Sequence, residues 1–95
     1  MRLPPCFDMT ITRADFRRLL PAAVAGAGFV EEGEAFVHRN GARGWRIELA
    51  PLPALGIGAI RLERHRVRIE FRAHSAQEIE AFMERFEMHF RRGGG

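Results

Sequence analysis

Five arginines fall at alternating positions of segments that otherwise read apolar: Arg46 in one, and Arg61, Arg66, Arg68 and Arg72 on either side of a short polar break at Arg64 and His65. A guanidinium is planar, permanently charged and carries paired donors that match carboxylate and phosphate oxygens. A sheet face presenting these five could therefore hold an acidic protein, an anion or a nucleic-acid backbone. Interleaved Glu48, Glu63 and Glu70 act against this, since opposite charges across strands pair with each other and keep a solvated face soluble. Base stacking needs aromatics on the charged face, and Trp45 and the phenylalanines alternate onto the other one. The five arginines are accordingly the candidate anion- or partner-binding residues, and a mixed-sign solvated face is the plain reading beside it.

Other reactive side chains show no pattern. His38, His65, His74 and His89 form no HxH, HxxH or HExxH cluster, so their spacing predicts no metal site. Cys6 is the only cysteine, which excludes an internal disulfide and a cysteine zinc cage and fits a reducing compartment. Ser75 stands three residues before Glu78, the spacing of a helix capping box rather than of a nucleophile. Gly56 and Gly58 are too sparse for a phosphate loop. The expectation is a protein that is not an enzyme and takes no metal or cofactor.

Ninety-five residues, 46% hydrophobic with eight phenylalanines, suffice for one domain with a Phe-rich core and not for two. All the basic residues are arginine, and the positive excess is local: residues 35–74 carry eight arginines against three glutamates. A GC-rich coding bias accounts for the absence of lysine. The longest apolar run, 50–60, holds two prolines and two glycines and is far short of a membrane span; with no leader at the N-terminus, a cytoplasmic location is expected.

The elements that must position these residues follow from periodicity. Thr12 and Asp15 mark a helix start near Arg13, with Phe16, Leu19, Leu20, Ala23 and Val24 as its apolar stripe and Pro21 as an interior break. Gly26 and Gly28 end it. From Glu34 the period becomes two, and Asn40-Gly41-Ala42-Arg43 reads as a hairpin turn that sets His38 opposite Trp45 and Phe36 opposite Ile47. Residues 50–58, with Pro51 and Pro53, read as a loop, either buried or an interaction patch. Two more strands, 57–63 and 66–72, turn at Arg64 and His65. Ser75 opens a last helix over 76–91, with Ile79, Phe82, Met83, Phe86 and Phe90 on its buried side. The predicted fold is α+β (α-β-β-β-β-α), a four-stranded antiparallel meander with an N-terminal and a C-terminal helix on one face. Residues 1–9 form a flexible tail, with Met9 as an alternative start; 10–92 form the domain, and 93–95 a glycine tail.

The helix, meander, helix order is similar to frataxin-type folds, a likeness of architecture that carries no function. Gly93-Gly94-Gly95 resembles the diglycine tail of ubiquitin-like carrier proteins, but those domains grasp one central helix and end in a strand, whereas this chain ends in a helix, which argues against the carrier reading. The expected function is a small protein-binding or assembly accessory domain with an unidentified protein partner. It would be a monomer or a weak homodimer, without membrane attachment. Anion or nucleic-acid binding through the arginine face is the alternative.

Overall fold

The structure, a computed structural model, describes residues 3–93. Seven elements follow one another: β1 (Cys6–Thr10), α1 (Arg13–Ala23), β2 (Val30–Glu32), β3 (Ala35–Asn40), β4 (Arg43–Ile57), β5 (Ile60–Arg72) and α2 (Ala76–Gly93). The five strands form one antiparallel sheet in the order β1-β5-β4-β3-β2. Strands β2 to β5 form an antiparallel meander, though not of the expected strands, since the two expected over 57–63 and 66–72 are essentially the one strand β5 and β2 is additional, and β1 lies at the far edge against β5. α1 therefore carries the chain across the whole sheet.

Local chemistry explains the helices. The Thr12 hydroxyl accepts a hydrogen bond from the Asp15 amide (3.1 Å), satisfying a donor that the first turn leaves free. α1 runs through Pro21 without dividing, and Ala25 and Gly26 at φ 55° and 75° stop it, with the Gly26 amide donating to the Pro21 carbonyl (2.8 Å). The Ser75 hydroxyl accepts from the Glu78 amide, and the Glu78 carboxylate accepts from the Ser75 amide, a reciprocal capping box. Both helices cover one sheet face. Phe16 and Leu20 of α1 and Met83, Phe86 and Phe90 of α2 close over Phe36, Trp45, Ile47, Leu49, Val67 and Ile69 in a single core.

Several expectations need correction. The sheet has five strands, not four. Of the tail expected over 1–9, residues 6–9 belong to β1, whose Phe7 and Met9 pack on the core, and residues 1–2 lie outside the described residues; Met9 lies inside that strand, opposite His65. Two apolar residues after a double proline are too short an alternation to be read as a strand. β2 was missed because its three residues are all exposed. The Asn40 turn has the expected register, with His38 opposite Trp45 and Phe36 opposite Ile47. Residues 50–58 are not a loop, because β4 continues to Ile57 and turns into β5 at Gly58 (φ 58°) and Ala59. The Leu49 amide donates to the Glu34 carbonyl beyond the end of β3. By two-residue alternation Pro51 faces that same edge, where β3 has ended and no ladder donor is needed, and Pro53 falls in the register shift between Leu52 and Leu55. No turn occurs at Arg64 and His65 either. His65 is buried, 7% exposed, with its Nδ1 2.8 Å from the Ile11 carbonyl, and β5 runs straight through it. Gly93 belongs to α2; the rest of the expected glycine tail lies outside the described residues.

Candidate functional site

Facing residues of neighbouring strands share a side of the sheet, so register alone assigns the arginines. On the side away from the helices, Arg46 stands opposite Glu70, Glu48 opposite Arg68, Ala50 opposite Arg66, and Leu52 opposite Arg64. Across the other neighbour, Cys6, Asp8 and Thr10 stand opposite Arg68, Arg66 and Arg64. Arg72 lies on this face opposite Gly44. The structure thus brings together Arg46, Arg66, Arg68 and Arg72. It removes Arg61 from the set: without a turn at 64–65, alternation along β5 puts Arg61 and Glu63 on the opposite side and brings Arg64 onto the arginine face. Arg64 and its partner Asp8 were missed, and reading 60–72 as one uninterrupted alternation would have found Arg64.

Most of these cations are engaged. Arg46 pairs with Glu48 (3.0 Å) and Glu70 (3.6 Å), and Arg68 with Glu70 (3.8 Å). Asp8 takes both Arg66 (3.0 Å) and Arg64 (3.6 Å). Its hydrogen bond to Arg66, reinforced by charge, holds that guanidinium above its ordinary range. At the far edge Arg39 binds Glu32 and lowers that carboxyl. On the helix side, Arg17 and then Arg13 of α1 hold Glu31 of β2 below the usual carboxylate range. The face is a mosaic of neutralised pairs, with positive charge left mainly around Arg66, Arg68 and Arg72. A shallow depression at its β3–β4 end is lined by Arg39, Arg43, Arg46, Arg72 and Trp45.

Past Leu52 and its partner Arg64, β4 and β5 continue beyond the reach of β1 as a two-stranded arm, and the molecule extends 47 Å along its longest axis. Leu55 faces Leu62 and Ile57 faces Ile60, and Leu55, Ile57 and Ile60 are 44%, 58% and 61% exposed. The stretch expected to be either buried or an interaction patch is therefore an exposed apolar arm.

Each histidine uses Nδ1 on a backbone carbonyl: His38 on Gly28 (2.6 Å), His65 on Ile11, His74 on Arg72 (2.9 Å) and His89 on Arg85 (2.9 Å). Among the described residues no group of three His, Cys, Asp or Glu side chains is placed to hold a metal ion. Cys6 is exposed on β1. The Ser75 hydroxyl is committed to its cap, and Arg43 together with the Ser75 amide pulls Glu78 down to about 2. Among the described residues, no helix is long and apolar enough to cross a membrane.

A family model described as archaeal MoaD-like protein matches residues 11–95. Neither a curated protein nor a solved structure gives a significant match.

Proposed function

The chain belongs to the archaeal MoaD-like family, and from that premise we propose that it is a small sulfur-carrier-type protein that presents its C-terminal glycines to partner enzymes. The observation that carries this reading is the extent of the match. It runs through Gly93-Gly94-Gly95, the segment that resembles a carrier tail. The family match reopens the carrier reading that the terminal helix argued against.

The chemistry fits the residues. A carboxylate accepts sulfur in place of oxygen only after activation, so the proposal needs an enzyme that joins the Gly95 carboxylate to the AMP of ATP with release of pyrophosphate, and a sulfide-level sulfur donor that attacks the acyl carbon and expels AMP. The carrier itself needs a reachable, unbranched end. Glycine has no side chain to obstruct a narrow entrance. Gly93 closes α2, and a glycine leaves a helix end at little cost. Phe86 and Phe90 fix the last turns of α2 on the core, so the tail starts from a defined place. The exposed arm, with Leu55, Ile57 and Ile60, supplies an apolar surface suited to a protein partner, in keeping with an accessory module that works through protein contacts.

The reading differs from the carrier template in two respects. The described chain ends in a helix, and its sheet is wholly antiparallel.

Pyrophosphate exchange into ATP tests the proposal. Extract of the source cells, depleted of this protein, should show exchange that rises on adding the purified chain and not on adding a chain lacking Gly94 and Gly95. Equal stimulation by the two chains would overturn it.

A further inference from the structure

Contacts along α2 fix where it ends against the sheet. Phe82 meets Phe71 of β5 at 5.0 Å, Phe86 meets Phe7 of β1 at 6.1 Å, and Phe90 and Arg91 line a groove with Met9 and Thr10. Phe7 stands opposite Val67, and Thr10 opposite Arg64. As α2 advances it therefore moves along β5 from Phe71 toward Arg64, and the helix closes at Gly93 where β1 stops and the arm begins. From Arg64 to its turn at Gly58 and Ala59 the arm runs on for about 20 Å at the rise of a strand. The arm and the chain beyond Gly93 leave the molecule at the same end. The two faces of the arm differ. Leu62 and Ile60, with their partners Leu55 and Ile57, alternate from Arg64 onto the side away from the helices. Arg61 and Glu63 lie on the side where α2 ends, and both are exposed. Among the described residues neither has an ion-pair partner, whereas Arg64 and Arg66 share Asp8.

Resting on the carrier reading, we propose that the arm is the second point of attachment for the enzyme that activates the C-terminal glycine. A cleft of that enzyme takes the arm between an apolar wall and a charged wall, while the chain beyond Gly93 enters its catalytic centre. Position supplies the first reason, since an enzyme that takes the end of the chain meets the arm on its approach. Area supplies the second. Two strands are about 10 Å wide, so one face of the arm covers about 200 Å², about a quarter of the roughly 800 Å² per partner that a stable interface buries. A second copy laid against the apolar face falls short of that area. A cleft that encloses both faces of the arm and the end of α2 comes much nearer to it. Chemistry supplies the third reason. Leu55, Ile57 and Ile60, left in water by the monomer, fit an apolar wall, and Arg61 and Glu63 on the other face call for a carboxylate and a cation from the partner.

The test measures pyrophosphate exchange in the depleted extract against the concentration of added full-length chain. Ile57→Asp together with Ile60→Asp should raise the half-saturating concentration at least about tenfold and leave the plateau rate unchanged. Arg61→Glu together with Glu63→Arg, which keeps the net charge, should raise it in the same way. Val30→Asp, at a side chain 55% exposed on β2, should change neither quantity. All these side chains are exposed, so the circular dichroism spectrum and Tm should stay near those of the native chain. A native half-saturating concentration for either arm pair, a lowered plateau in place of a raised half-saturating concentration, or an equal shift for Val30→Asp would overturn the inference alone. No stimulation by the native chain would overturn the carrier reading and this inference with it.

Discussion

Phe90 sits in the last turns of α2, and its replacement by alanine should loosen both the core and the start of the glycine tail. Its side chain is 3% exposed, and its ring lies 4.5 Å from that of Phe86 and 4.7 Å from that of Phe16. Burying a phenylalanine stabilises by about 1.5–3 kcal/mol, and each close ring pair adds about 0.5–1.5 kcal/mol. The expected loss is therefore about 3–5 kcal/mol, the usual range for emptying such a site. Domains of this size hold about 5–15 kcal/mol in all, so Tm should fall by more than about 10 °C. Urea unfolding followed by the fluorescence of Trp45, itself 5% exposed, measures the loss. Met88→Ala, at a side chain 44% exposed, should change stability by less than about 0.5 kcal/mol. A loss below about 1 kcal/mol for Phe90→Ala, or an equal loss for Met88→Ala, would refute the claim that Phe90 fastens the helix end.

Gly44→Ala should destabilise by about 2 kcal/mol or more, because a Cβ there would run into the His38 carbonyl, a backbone atom of the adjacent strand. Gly56→Ala, where a Cβ meets nothing within 4 Å, should be neutral in the same unfolding assay. Acid titration should show the Glu78 pair. Its folded value of about 2, against an ordinary 4.5, means that its contribution is complete above about pH 4.5 and disappears as pH falls toward 2; Glu78→Gln should flatten the stability profile in that window alone. Replacing Pro51 and Pro53 together with threonine restores N–H donors to the stretch of β4 beyond β3 and should increase self-association in sedimentation velocity relative to the native chain. Unchanged sedimentation would mean that the prolines do not guard that edge.

The parts of the fold legible in the sequence were those with strong local signals. The Thr12 cap and the Ser75–Glu78 capping box placed their helix starts, the stripe from Ile79 to Phe90 gave α2, and Asn40-Gly41 gave the β3–β4 register. The β4–β5 arm was misread because Pro51 and Pro53 are breakers only where a ladder needs their N–H, and whether it does depends on where β3 ends. The turn wrongly expected at Arg64 and His65 followed from polarity, but His65 is buried by an acceptor 54 residues away, the Ile11 carbonyl. That long-range contact leaves no local trace. The error carried into the candidate site, since one false turn exchanged Arg61 for Arg64. Asp8 became visible as a partner of the arginines only once β1 was found on the far side of β5. The three terminal glycines are legible in the sequence, but their spacing alone assigns them no role.

The central claim, that the C-terminal glycine carries sulfur, is tested most directly by intact-mass spectrometry of the chain purified from its native cells under non-reducing, alkylator-free conditions. The account predicts a second species heavier by the exchange of one oxygen for sulfur, localised to the C-terminal peptide and shifted again by iodoacetamide. A single unmodified species, or a sulfur-bearing adduct that maps to Cys6, would contradict it.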